Sequence, residues 1–125
     1  MKRNLVGAAL IGAALIVGGT GIASAAPAGC TASGAVCLYR DDDYRGGQVT
    51  LSGTTTGITH LSSYGFNDQA DSYYNNSTKD AAWYTDANYA GRRVCMHSTS
   101  GNHSFSFQDS DEASSTRKLS SASSC

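Results

Sequence analysis

Tyr39-Arg40-Asp41-Asp42-Asp43-Tyr44-Arg45-Gly46 returns 45 positions later as Tyr84-Thr85-Asp86-Ala87-Asn88-Tyr89-Ala90-Gly91, both reading Tyr-x-x-x-x-Tyr-x-Gly. The offset holds on either side, with Leu38 matching Trp83 and Gln48-Val49 matching Arg93-Val94. A second element recurs at an offset of 43, where Asn67-Asp68-Gln69-Ala70-Asp71-Ser72 resembles Ser110-Asp111-Glu112-Ala113-Ser114-Ser115. Two ordered motifs, each occurring twice, indicate an internal duplication.

Each copy reads as strand, hairpin, strand. Val36 to Tyr39 is apolar and β-prone, and Gln48 to Leu51 alternates polar with apolar. Between them the second tyrosine can lay its ring over the hairpin, while glycine supplies a backbone angle that side chains resist. The same pieces recur as Ala81 to Tyr84 and Arg92 to Met96, and further strands are expected at Ile58 to Leu61, Ser72 to Asn75, His103 to Phe107 and Ser115 to Leu119. No segment carries a helical period. The expectation is all-β: two antiparallel four-stranded Greek-key units packed as a sandwich, repeat one over about 30–78 and repeat two over about 79–125.

Composition agrees. The 125 residues hold fourteen glycines, one proline and seven tyrosines, with 40% hydrophobic residues, enough for one cored domain and too apolar for disorder. Lys2 and Arg3, the apolar stretch Leu5 to Val17 and the ending Ala23-Ser24-Ala25 read as a secretory signal peptide over 1–25, leaving a mature domain over 26–125. Its loss leaves seven basic against ten acidic residues, a net charge of about −3. That balance excludes a basic field for nucleic acid and a polybasic patch for membranes. The expected product is extracellular and monomeric.

An even cysteine count in a small exported chain reads as two disulfides. Cys30, Cys37, Cys95 and Cys125 allow three pairings. Cys30–Cys37 with Cys95–Cys125 is favoured, because the first staples the N-terminus to the opening strand and the second ties down a Ser-rich tail. A zinc set of Cys95, His97 and His103 lacks a CxxC knuckle and a fourth ligand. Nor is there a Gly-x-Ser-x-Gly elbow or a His-Glu-x-x-His helix, so no catalytic role is expected. Tyr73, Tyr74 and Trp83 are expected in the core rather than on a sugar platform.

The tyrosine-cornered hairpin, followed some 20 residues on by Asn-Asp-x-x-Asp-Ser, resembles the Greek-key motif of the βγ-crystallin superfamily. With the leader and the Cys30…Cys37 opening, "VCLYRDDDYRGG" and "FNDQADS" resemble the Streptomyces metalloproteinase-inhibitor family of small secreted crystallin-like domains. The crystallin resemblance implies calcium as an inorganic cofactor, with no organic one. Its ligands would come from Asn67, Asp68, Asp71 and Ser72 and from Ser110, Asp111, Ser114 and Ser115, with Asp41 and Asp86 nearby. Asp71 stands where that pattern has Ser or Thr, and Ser110 where it has Asn or Asp. The plain alternative is that these residues only hold turns through Asx-type hydrogen bonds.

The inhibitor resemblance implies an extracellular metalloproteinase as partner, blocked by an exposed rigid loop. By this resemblance the loop falls around Cys95-Met96-His97, with Met96 as an apolar anchor. The family's tight loop disulfide does not carry over, since Cys125 is the partner left for Cys95. Two alternatives are a calcium-binding βγ-crystallin without inhibitory activity and a small secreted killer-toxin-like protein.

Overall fold

The computed structural model describes residues 25–125; the expected signal peptide lies outside the described residues up to position 24. Among the described residues eight strands follow in chain order: β1 Ala35–Asp41, β2 Arg45–Leu51, β3 Gly57–Ile58, β4 Ser72–Asn76, β5 Ala81–Asp86, β6 Ala90–Met96, β7 Ser100–Asn102 and β8 Ser115–Lys118. They form two four-stranded antiparallel sheets, ordered β2-β1-β4-β7 and β3-β8-β5-β6. Among the described residues the helical segments are 3-10 turns, and no helix is long and apolar enough to cross a membrane.

The duplication is visible in the register. Tyr39 pairs with Gln48 and Asp41 with Arg45 across a bulge; 45 positions on, Tyr84 pairs with Arg93 and Asp86 with Ala90 across another. In both hairpins two successive residues take left-handed backbone angles, Asp43-Tyr44 and Asn88-Tyr89, with φ between 59° and 60°. That turn folds the second tyrosine back onto the first, with ring centroids 5.7 Å apart in each repeat. Gly46 and Gly91 then take φ of 76° and 78°. A Cβ on Gly46 would lie 2.6 Å from Asp41 Oδ2, and one on Gly91 would run into Thr85 and Asp86.

The repeats are interlocked rather than stacked as separate units. The third strand of repeat one, β3, pairs with β8 of repeat two, Ile58 opposite Thr116. The third strand of repeat two, β7, pairs with β4 of repeat one, Tyr74 opposite Gly101. Each sheet therefore takes three strands from one repeat and one from the other.

Two strands are shorter or shifted. The one expected over 58–61 ends at Ile58, because the chain turns into a 3-10 segment, Leu61–Tyr64, that buries Leu61. The one expected over 103–107 is instead Ser100–Asn102. Asn102 Oδ1 accepts from the Ser104 N–H, and the Phe105 N–H donates to Asp71 O at 2.8 Å, so the backbone leaves the sheet there.

Alternation along the strands builds the core. Val36, Leu38, Val49, Leu51, Trp83 and Met96 face inward between the sheets. Trp83 is fully buried and stacks on Phe105 at 5.5 Å, and Tyr73 tilts against the same Phe105 ring at 6.1 Å. The outer face of β1 carries Cys37 and Tyr39 under Cys30, Tyr44 and Tyr74. Cys30 and Cys37 are bonded, as are Cys95 and Cys125, with Cα separations of 6.1 Å and 6.0 Å.

Candidate functional site

The two acidic loops meet each other. Asp68 and Asp111 are equivalent at the 43-residue offset, and both sit in the left-handed region with φ of 55° and 60°. The Asp68 N–H donates to Ala113 O at 2.8 Å, and the Asp111 N–H donates to Ala70 O at 3.0 Å, a reciprocal exchange between the repeats. Side chains cross the same way. Ser114 Oγ donates to Asp68 Oδ1 at 3.1 Å, and Ser110 Oγ donates to Asp71 Oδ1. The two departures from the crystallin pattern, Asp71 and Ser110, are thus each other's partners.

Negative charge is concentrated here. Partial covering of the Asp111 carboxyl, then the charges of Asp71, Asp68 and Glu112, push its pKa above the ordinary carboxylate range. Carboxylates, hydroxyls and carbonyls gathered on two loops are the hard oxygen donors a calcium ion takes. Asp68, Asp71, Asp111, Ser110 and Ser114 fit that chemistry. Asn67 is exposed beside them.

Ser72 and Ser115 have different work. Ser72 Oγ donates to Asp41 O at 2.7 Å and accepts from the Tyr44 N–H; Ser115 Oγ donates to Asp86 O at 2.6 Å and accepts from the Tyr89 N–H. These hydroxyls fasten the tyrosine hairpins to the neighbouring strands. Asp41 and Asp86 enter through their carbonyls.

The segment Cys95-Met96-His97 closes β6, an edge strand. His97 is exposed and Cys95 partly so, but Met96 is fully buried, which corrects its expected role as an exposed anchor. The cause is strand parity. Met96 lies opposite Ala81 and, at the 45-residue offset, takes the place of the buried Leu51. That offset was the sequence signal for its burial.

Two residues with larger parts than the sequence indicated are Asp80 and Phe107. Asp80 is buried, and its carboxylate accepts from the N–H groups of Ser98 and Cys125, both at 2.9 Å. The Cys125 and Ser98 bonds hold its pKa below the usual carboxylate range. Asp80, Cys95, His97 and Cys125 lie close together, but both cysteines are spent in the disulfide and are not thiolate ligands. His103 of the zinc set lies elsewhere, its Nδ1 3.1 Å from Asp43 Oδ1. Phe107, expected as a strand residue, is 98% exposed.

Solved structures confirm the architecture. The chain is similar to a βγ-crystallin from Ciona intestinalis, with 20% identity and a TM-score of 0.60, over 69% of this chain and all of that one. A βγ-crystallin domain from Flavobacterium johnsoniae matches at 24% identity and a TM-score of 0.57, over 72% and 98% of the two chains. One from Clostridium beijerinckii matches at 25% and 0.56, over 68% and 97%. No curated protein sequence matches the chain significantly. A family model does, covering residues 23–96, which is more than half of the chain and includes both tyrosine hairpins. The chain is a member of peptidase inhibitor family I36, built on the βγ-crystallin fold.

Proposed function

We propose that the mature chain is a secreted inhibitor that blocks the cleft of an extracellular metalloproteinase with an exposed loop. The observation that carries this reading is the match to a peptidase inhibitor family. The scaffold supports it. Exchanged strands and two disulfides brace the framework that carries the loops, which limits the freedom lost when a loop meets a partner. The decisive experiment titrates the purified mature protein against thermolysin and subtilisin. Stoichiometric inhibition of thermolysin is expected; no inhibition of either enzyme at large molar excess would remove the reading.

A second reading, calcium binding, is favoured by one observation, the reciprocal acidic loops. Asp68, Asp71 and Asp111 with Ser110 and Ser114 would hold the ion, which would offset the negative charge gathered there. The two readings are compatible, because an ion there would stiffen the scaffold that carries the loops. Calorimetric titration with calcium tests it, and no heat at millimolar calcium would retire these ligands.

A further inference from the structure

Between β7 and β8 the chain crosses from one sheet to the other, and almost every residue of the early crossing is fastened down. Phe105 enters the core against Trp83. The carbonyl of Ser106 accepts from the N–H groups of Asp109 and Ser110, at 3.0 and 2.9 Å, closing a tight turn. Arg92, on β6, reaches over with one guanidinium nitrogen to Asp109 Oδ1 at 2.8 Å and another to Gln108 O at 3.2 Å. Ser110 is tied to Asp71. Phe107 lies at the crest of this turn with its ring in water.

Its counterpart at the 43-residue offset behaves differently. Tyr64 also precedes an acidic loop, and Arg40 holds the following carbonyl, that of Gly65, as Arg92 holds that of Gln108. Yet Tyr64 is 61% exposed and carries a hydroxyl that water can satisfy. Among the described residues these are the two large apolar side chains left exposed, and only Phe107 presents a whole apolar ring. Beside the crest, Arg92 and Asp109 pair as a salt bridge at 2.8 Å.

We propose that Phe107 is the anchor of the contact with the target peptidase, seated in an apolar pocket of that enzyme. This rests on the inhibitor reading above and names the loop that the buried Met96 does not supply. Phe107 also lies beyond residues 23–96, so the family match does not assign it. An aromatic ring on a pinned turn has the properties of an interface hot spot: large contact area, two rotatable bonds and a backbone already ordered. The turn also decides the manner of binding. Ser106 to Ser110 is curled rather than extended, so the ring enters as a knob and the adjoining peptide bonds are not laid out for cleavage.

The test measures inhibition constants for wild-type mature protein, Phe107→Ala, Phe107→Leu and Tyr64→Ala against thermolysin and subtilisin, alongside melting curves. For an enzyme the wild type inhibits, Phe107→Ala is expected to weaken inhibition roughly 30-fold or more. Phe107→Leu should recover most of that, Tyr64→Ala should change little, and all four proteins should melt alike. Mass spectrometry after long incubation should recover the chain uncut on either side of Phe107. Unchanged inhibition by Phe107→Ala, a larger loss from Tyr64→Ala, or cleavage beside Phe107 would each overturn the proposal while leaving the inhibitor reading standing. A wild type that inhibits neither enzyme overturns both.

Discussion

Asp68 and Asp111 occupy equivalent places in the two repeats and each donates its backbone N–H to the other's loop, to Ala113 and Ala70. The exchange makes one acidic site out of two sequence motifs that lie 43 positions apart. It also places both motifs where the repeats interlock, so whatever occupies the site acts on the stability of the whole domain.

Calcium is therefore expected to raise the melting temperature. A ligand at ten times its dissociation constant adds about 1.4 kcal/mol to the folded state, which for a domain of this size is a shift of roughly 5–10 °C. The double variant Asp68→Asn, Asp111→Asn should lose the calcium-dependent shift. An equal shift in that variant would place the ion elsewhere.

Met96→Ala should act on stability. The side chain is fully buried opposite Ala81, and removing such a group costs about 2–5 kcal/mol. Denaturant unfolding should show the loss, and a melt identical to wild type would contradict the packing described for β6.

Asp80 sets an acid limit. Its pKa is lowered in the folded state by the Cys125 and Ser98 N–H groups. The stability it contributes is full above the unfolded carboxylate value of about 3.9 and is lost as pH falls through the lower folded value. Asp80→Asn should therefore flatten the decline in melting temperature below pH 4 while lowering stability at pH 7. An unaltered acid limb would show that other carboxylates govern it.

Gly46→Ala and Gly91→Ala should destabilise the two hairpins comparably, each by about 1–3 kcal/mol, because both combine a left-handed backbone with a blocked Cβ position. A cost at only one of them would break the equivalence of the repeats.

Replacing Cys95 and Cys125 together by serine should cost about 2–4 kcal/mol in unfolding, the two residues lying 30 positions apart. Hydrogen exchange should quicken first over Ser120 to Cys125, where Asp80 then holds the tail alone. Uniform quickening across both sheets would mean that the tail and core unfold together.

The tyrosine hairpins, most strands, the short Cys30–Cys37 loop and the two acidic motifs were legible because each is a local matter. Ring packing over a turn, a left-handed glycine, period-two alternation and a short loop closed by cysteines depend on residues near in sequence or repeated at a fixed offset. The exchange of β3 and β7 was not legible. Gly57–Ile58 and Ser100–Asn102 are two and three residues long, and their pairing is chosen by edges that exist only after the other strands have assembled. The place of Met96 was written in its alignment with Leu51, while the resemblance pointed to the surface.

Spacing and residue type alone specify a duplicated β-domain with two acidic loops and four cysteines to bridge. Which cysteines pair, that the loops face each other, that Met96 points inward and that Phe107 points out depend on how the sheets pack. Those are questions of which surfaces meet, and alternation along a strand fixes which side chains share a face without fixing what covers it.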